Sequence, residues 1–229
     1  MKKYISYAFY KTIPVLLGYL FLGLAFGLLL QEAGYSFWWA LLASTIIYAG
    51  SIQFVLVSFL GGGTSLPVVA VMTLLINSRH AFYGLSFVEK FRQMKTYPYM
   101  VFSLTDETYS LLCSTTVPEG MDEKKAFFLI SLFDQCYWIT GSVLGGALGE
   151  ILPFDMTGID FAMTALFVTI FIDQWRSAKS HLPALIGLCS GVICLLIFGG
   201  SNFILPSLLI TVTLLMALQN PIENKEAVS

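Results

Sequence analysis

Charged residues are scarce in this chain. Lys, Arg, Asp and Glu make up 11% of its 229 residues, whereas hydrophobic residues make up 57%, and the mean hydropathy is +0.79. An ordinary soluble domain carries about 25% charged residues. A small domain cannot hide so large an apolar excess in one core, because most of its residues lie near the surface. Lipid must therefore be the solvent for much of this chain's surface, which excludes a soluble globular protein.

Clusters of basic, metal-ligating and nucleophilic residues are also missing. The net charge is −2 and no segment carries a basic stripe, which argues against a nucleic-acid partner. The two histidines and four cysteines form no metal-binding spacing, so we predict no metal, no cofactor and no disulfide, and interpret the cysteines as small buried hydrophobes. Without a GxSxG, HExxH or phosphate-binding loop, this chain alone is not an ATP-driven pump, and we predict that it is not an enzyme.

Long apolar runs fill most of the chain, and a transmembrane helix needs about 17–25 such residues. Because the connectors are short, we predict an all-α polytopic membrane protein with one transmembrane domain over residues 1–218 and a polar tail over 219–229. The first run lacks a small-residue cleavage site, so we interpret it as a retained span rather than a signal peptide. The seven or eight segments are drawn from Ile13–Leu30, Phe37–Leu60, Leu66–Val88, Tyr97–Thr116, Ala126–Leu148, Ile159–Ile172, Leu182–Phe198 and Phe203–Leu218.

The distribution of basic residues does not fit simple alternation of these segments. The lysines within residues 2–11 place the N-terminus in the cytoplasm by the positive-inside bias. Alternation then puts residues 124–125 inside but the basic residues of 90–95 outside, on the wrong side. If the third segment instead breaks near Asn77–His80 and returns, residues 124–125 become exposed. The sequence leaves the topology open between these two arrangements.

Two stretches of the chain resemble one another. Gly23–Gly27 precedes Gln53 much as Gly145–Gly149 precedes Gln174, with offsets of 122 and 121 residues. Glycine at every fourth position lets two membrane helices approach closely, so packing is the main interpretation of these glycines. Transporters are often built from internal repeats, with the substrate bound where the repeats meet. The two repeats predicted here cover residues 12–116 and 126–218.

Polar residues inside the third segment are informative, because a charge at the centre of a membrane helix costs about 2.5–3.5 kcal/mol on the mildest scale. Asn77 and His80 share one face of a helix, and Arg79 projects to a neighbouring face. One interpretation is a cationic, hydrogen-bonding spot for a substrate carboxylate. The other is an Arg79 that pairs with an acidic residue to hold helices together.

Acidic and amide residues in other segments supply partners. Asp106 and Glu107 in the fourth segment could pair with Arg79, meet an ammonium group or carry a proton, unless Asp106 caps a helix that starts there. Asp134 and Gln135 lie within the fifth segment. Gln53 is a buried amide in the second segment, and it either joins two helices or contacts a ligand. The predicted substrate-binding residues are Gln53, Asn77, Arg79, His80, Asp106, Glu107, Asp134 and Gln135.

Five short motifs in order carry a resemblance to a known family. They are Gly23–Gly27, Tyr48–Phe54, Asn77–His80, Thr105–Thr108 and Gly158–Phe167. Together they resemble the AzlC family, the large subunits of branched-chain amino acid exporters of bacteria and archaea. The similarity runs from about residue 10 to about residue 218.

The resemblance implies a multi-pass protein of a prokaryotic plasma membrane. It would export leucine, isoleucine and valine, with methionine as a further candidate, driven by an ion gradient rather than by ATP. It also implies a separately encoded small membrane subunit of the AzlD type. Ser78 departs from the family, whose usual residue between the Asn and the Arg is apolar, so the local pocket differs. A passive channel and a structural subunit of a transport complex are the alternative functions.

Overall fold

A computed structural model describes residues 2–151, 168, 171–172, 175–176, 180–200 and 203–218, without the side chains of residues 79, 81, 82 and 85. Every regular element in these ranges is a helix, which confirms the predicted all-α class. Most of the predicted segment at 159–172, Gln174 and the tail at 219–229 lie outside the described residues. The helices are α1 (Lys2–Glu32), α2 (Phe37–Ile46), α3 (Gly50–Gly62), α4 (Leu66–Arg92), α5 (Tyr97–Phe102), α6 (Asp106–Ser114), α7 (Glu123–Ile151), α8 (Leu182–Phe198) and α9 (Ile204–Ala217).

The chain forms two compact units. The first comprises Met1–Thr64 and Ile76–Met163, and the second comprises Ser65–Leu75 and Thr164–Ser229. In the second unit, α8 and α9 pack against each other. The first unit contains α1–α3, most of α4 and α5–α7, and it holds all eight predicted substrate-binding residues. The predicted single domain and its two repeats stay a prediction.

Two helices of the first unit are long and apolar enough to cross a membrane, α1 with 31 residues and α7 with 29. At 1.5 Å per residue, each is more than about 40 Å long. They lie parallel: the Asp122 N–H, just before α7, donates to the Tyr4 hydroxyl at 3.1 Å. At the other end, Gly149 lies against the Gln31 side chain. The two helices thus form the scaffold of the unit.

Glycines allow the backbones of α1 and α7 to touch. A Cβ added at Gly23 would lie 2.9 Å from the Ser142 backbone nitrogen, and one at Gly141 would lie 2.7 Å from the Leu20 carbonyl oxygen. Real Cβ atoms do not approach backbone so closely, so no larger residue fits. The predicted small-residue packing of these helices is therefore confirmed.

Replacing Gly145 by Leu should destabilise the protein by about 1–3 kcal/mol or more, because its Cβ would lie 2.8 Å from the Leu24 Cα on the facing helix. Gly18→Leu is the matched control on α1, since a Cβ there meets nothing within 4 Å. Thermal unfolding of both variants in detergent measures the difference. Equal stability of the two would contradict the close packing.

The third predicted segment is one unbroken helix. The sequence allowed a break near Asn77–His80, but α4 runs from Leu66 to Arg92 without interruption. Its continuity has a simple cause: neither Pro nor Gly occurs in residues 68–83, so the backbone hydrogen bonds of the helix continue. The breaks lie instead in the second and the fourth segments.

The last turn of α4 lies beside the first turn of α7. The Lys90 ammonium donates to the Glu123 carboxylate at 2.9 Å, and Lys124 donates to the Gln93 carbonyl at 3.2 Å. The start of α1 lies at this end too, as its contact with the residue before α7 shows. We call this the basic end of the unit, and the opposite one the far end. The basic end collects the basic residues of 2–11, 90–95 and 124–125.

The second predicted segment is broken after α2. Tyr48 adopts a positive φ of 42°, the left-handed region that non-glycine residues seldom occupy. The Gln53 side chain stabilises this turn, because its oxygen accepts the Ala49 N–H at 3.1 Å and its nitrogen donates to Ser44 at 3.4 Å. Contact across nine residues shows that the chain reverses here rather than continuing straight.

Contacts along α7 and α1 show that α2 and α3 form a hairpin from the far end. The Phe37 N–H at the start of α2 donates to the Glu150 carboxylate in the last turn of α7. Near the end of α2, the Thr45 carbonyl accepts from Gln135 in the middle of α7. Beyond the break, Phe54 on α3 packs against Phe26, in the half of α1 near the far end. The hairpin therefore reaches the middle of the unit and turns back.

The helices α5 and α6 form a second hairpin, which enters from the basic end. Tyr99 on α5 packs against the second turn of α7. The chain then reaches Thr105, whose hydroxyl lies 2.6 Å from that of Tyr19 in the middle of α1. Past the end of α6, the Thr116 carbonyl accepts from Tyr7 near the start of α1. The fourth segment thus returns to the basic end without crossing.

Two opposed re-entrant hairpins resolve the conflict in the distribution of basic residues. Because both hairpins return to the end from which they enter, residues 90–95 and 124–125 reach the same end as the N-terminus. Non-helical backbone at membrane depth is tolerated where it is buried in protein. We call residues 47–49 and 103–105 the two hairpin tips.

Cysteine labelling can test this topology. Three native cysteines are exposed, contrary to the sequence interpretation, and only Cys194 is buried, so labelling starts from a variant with all four replaced. We expect a membrane-impermeant thiol reagent to reach Lys95→Cys and Glu119→Cys from the side of the N-terminus, and Gly62→Cys from the opposite side. Simple alternation of eight spans predicts the reverse for positions 62 and 95, with Glu119→Cys as the shared control.

Candidate functional site

The two hairpin tips meet in the interior of the first unit. The ring of Tyr48, from the first tip, lies 6.1 Å from the ring of Phe102, which precedes the second tip. The middle parts of α1 and α7 flank this meeting point. We call the place the hairpin junction. It comprises Tyr19, Tyr48, Gln53, Phe102, Thr105, Glu107, Thr108, Asp134, Gln135 and Trp138.

Tyr19 connects α1 to the second tip. Its hydroxyl is buried against Thr105 and donates to the Glu107 carboxylate at 2.8 Å. Thr105 is the N-cap of α6, because its side chain accepts the Thr108 N–H. The sequence interpretation that a helix starts here is thus confirmed, although the capping residue is Thr105 rather than Asp106. Such caps satisfy backbone donors that the first turn leaves free.

Asp134 is the most unusual group at the junction. Its side chain is 0% exposed, and one carboxylate oxygen, Oδ2, accepts from the Thr108 hydroxyl at 2.8 Å. The other oxygen, Oδ1, is buried and has no hydrogen-bond partner among the described residues. Close contacts between oxygen atoms therefore run from Glu107 through Tyr19, Thr105 and Thr108 to a half-satisfied carboxylate, with three hydroxyl protons shared among four contacts.

The amides on either side of the junction hold elements in place. The Gln53 oxygen accepts from the Trp138 indole N–H at 3.0 Å, besides stabilising the first tip. The Gln135 oxygen accepts from Tyr99 at 2.8 Å, and its nitrogen donates to the Thr45 carbonyl at 3.5 Å. Both amides thus join broken helices to α7, which supports the interpretation of Gln53 as a contact between helices.

Further polar atoms at the tips lack partners. The hydroxyl groups of Tyr48 and Ser103 are buried and make no hydrogen bond within the described part of the chain. Leaving a buried polar group unpaired costs about 1–3 kcal/mol, so such groups mark places where a ligand or water binds. The positive ends of the α3 and α6 dipoles also lie at the tips, which favours negative charge there.

The structure brings four of the eight predicted site residues to the junction, namely Gln53, Glu107, Asp134 and Gln135. Asp106 is half-buried at the first position of α6.

Two of the predicted residues on α4 lie beside each other. The His80 ring lies 3.2 Å from the Asn77 carbonyl, and the Asn77 side-chain oxygen is buried without a hydrogen bond among the described residues. The Arg79 side chain lies outside the described residues, so its predicted ion pair stays a prediction.

Sequence reasoning missed the tyrosines and threonines of the junction. Tyr19, Tyr48 and Thr108 carry no charge, and such residues are common along membrane helices. The motif Thr105–Thr108 contained the signal for a cap, since Thr followed by Asp and Glu is typical of a helix start.

A double-mutant cycle can test how Gln53 supports the first tip. Gln53→Leu should lower stability by about 1–3 kcal/mol, since it leaves the Trp138 indole N–H and the Ala49 N–H without their acceptor. In a Trp138→Phe background the same change should be less destabilising, because one of the abandoned donors is already gone. Thermal unfolding of the four proteins gives the coupling. Strictly additive effects would contradict the hydrogen bond.

Long apolar helices, paired re-entrant hairpins and a buried, half-satisfied carboxylate where they meet define a class. The chain is a polytopic helical membrane protein, with its broken helices around an interior polar site as in secondary transporters. The sequence model described as AzlC protein matches residues 14–152. The chain therefore belongs to the AzlC family, as the motifs suggested.

Individual relatives extend this similarity over nearly the whole chain. The branched-chain amino acid transport protein AzlC of Bacillus subtilis is 39% identical over 220 residues, which cover 96% of this chain and 87% of the relative. An uncharacterised membrane protein of Helicobacter pylori is 41% identical over 217 residues, covering 94% and 95%. The inner membrane protein YgaZ of Escherichia coli is 28% identical over 192 residues, covering 79% and 78%. No solved structure gives a significant match.

Proposed function

We propose that this chain is a secondary transporter of branched-chain aliphatic amino acids, which it binds as zwitterions at the hairpin junction. The observation that carries the proposal is the buried carboxylate of Asp134, with one oxygen unpaired among the described residues, beside the N-terminal ends of two half-helices. The substrate class is supported by the Bacillus subtilis relative, which is a branched-chain amino acid transport protein. The carboxylate of Asp134 would complement the ammonium group of an amino acid, and the helix N-termini would complement its carboxylate.

The ammonium group would bind Oδ1 of Asp134. A charge-assisted hydrogen bond to this oxygen is stronger than one between neutral groups, and it would satisfy an atom that is now without a partner. This revises the expectation that Asp106 or Glu107 receives the ammonium, since Glu107 already accepts from Tyr19.

The carboxylate would bind near the N-termini of α3 and α6. Broken helices in transporters aim their positive dipole ends at anionic groups of the substrate, and the Tyr48 hydroxyl is available as a donor within the described structure. Arg79, with Asn77 and His80, is the second candidate for the carboxylate. The variant Arg79→Gln distinguishes the two, because loss of leucine affinity in a folded protein would favour the arginine.

An aliphatic side chain would lie among aromatic rings. Trp138 packs against Tyr19, Phe26 and Phe54, with ring centroids 5.4–6.4 Å apart. Rings of this kind suit leucine, isoleucine and valine, because they remove apolar surface from water without requiring a polar partner. The tips close over this region with buried side chains, which favours a carrier that must open over a passive channel.

The proposal also covers the orientation of the chain in the membrane, the direction of transport and a partner subunit. The basic end would face the cytoplasm, in agreement with the positive-inside bias, so the N-terminus is cytoplasmic and the α2–α3 hairpin enters from outside. Transport would be export across the plasma membrane, coupled to an ion gradient. A small AzlD-type subunit would assemble with the chain in the membrane and complete the exporter.

Counterflow of labelled leucine in proteoliposomes tests the function, with the chain alone and with the small subunit. We expect saturable counterflow, and at least a tenfold loss for Asp134→Asn, since a neutral amide cannot balance the ammonium charge. The control Glu119→Gln removes an exposed carboxylate and should transport normally. Flux that does not saturate would indicate a pore. Absence of flux from folded protein in both preparations would contradict a transporter of these substrates.

A further inference from the structure

We infer that a proton and the substrate ammonium group compete for the same oxygen, Oδ1 of Asp134, so that the protein exchanges one amino acid for one proton. The inference rests on the proposed function and adds its coupling mechanism. It assigns the exchange to one atom that, among the described residues, is both fully buried and unpaired.

The surroundings of Asp134 favour a neutral carboxyl group when no substrate is bound. An ionised carboxylate that is buried without a counter-charge is unfavourable, and among the described residues only Oδ2 of Asp134 has a hydrogen-bond donor. A proton on Oδ1 removes the charge. The buried Tyr48 hydroxyl on the facing tip carries no charge and makes no hydrogen bond within the described residues, so it does not balance the carboxylate either.

Within the described part of the chain, the ionisable groups near Asp134 provide no positive charge. They come from α1, the first tip, α5, α6 and α7 itself, and every one is neutral or acidic. They are Tyr19, Tyr48, Tyr99, Glu107 and Tyr137. The negative charge of Glu107 disfavours a second negative charge on Asp134, because like charges repel. None of these groups carries a positive charge that would balance the carboxylate ion, so a proton or the ammonium group of the substrate would supply that balance.

The exchange step balances in atoms and charge. When the zwitterion enters, the O–H bond at Oδ1 breaks, the proton leaves to water on the open side, and the carboxylate pairs with the ammonium group. On the opposite side, a proton from water forms the O–H bond again as the ammonium group leaves. Because one oxygen cannot hold both, an inward proton gradient drives the amino acid outward.

Proton release on leucine binding measures this competition directly. Purified protein, with the small subunit if counterflow requires it, is mixed with leucine in weakly buffered solution containing a pH indicator. We expect close to one proton released per leucine bound at a pH where Asp134 is protonated. Leucine affinity should also fall up to tenfold per pH unit as the pH is lowered, since protons then compete better.

Two variants assign the proton. Asp134→Asn should release none, whether or not it still binds leucine, whereas the exposed-carboxylate control Glu119→Gln should still release one. Leucine binding to the native protein without proton release would overturn the exchange mechanism and leave the transport function intact. If a folded Asp134→Asn variant released as many protons as the native protein, the proton would come from another group and the assignment to Asp134 would be wrong. Absence of leucine binding to the native protein would instead contradict the proposed function itself.

Discussion

The close, parallel packing of α1 and α7 is the constraint on which the rest of the first unit depends. Their backbones touch over several turns because glycines leave no side chain between them. In lipid the hydrophobic effect does not drive helices together, so such close contact is a main source of association. The pair also sets the depth of every polar group at the junction, since Tyr19 and Asp134 project from these two rigid helices.

The hairpins exist because α1 and α7 offer partners for their broken ends. A helix break in a membrane exposes backbone groups that lipid cannot satisfy. Here a side chain of the following helix caps the first tip, and Thr105 caps the second. Each cap is in turn held by the scaffold, through Trp138 on α7 and Tyr19 on α1. The side chains that hold the hairpins therefore belong to the same small set as those of the proposed substrate site.

Local apolar pattern was enough to predict α1, α7 and the helices of the second unit, because length and composition decide whether a segment can span the bilayer. The hairpins were not predictable in this way, since a segment that crosses and one that returns are equally apolar. The reversal at Tyr48 depends on a contact between Gln53 and Trp138, 85 residues apart. Charged and amide residues of the site stood out against the apolar background, whereas the tyrosines did not.

The order of elements has a consequence for symmetry. A long helix followed by a hairpin occurs twice, as α1 with α2–α3 and as α4 with α5–α6, at a spacing of roughly 60 residues. The last part of α4 lies at the end where α1 begins, so the two copies are inverted. Inverted copies present the same architecture to opposite faces of a bilayer. Each side of the bilayer therefore meets a hairpin of the same design, so the hairpin junction is approached in an equivalent way from both sides.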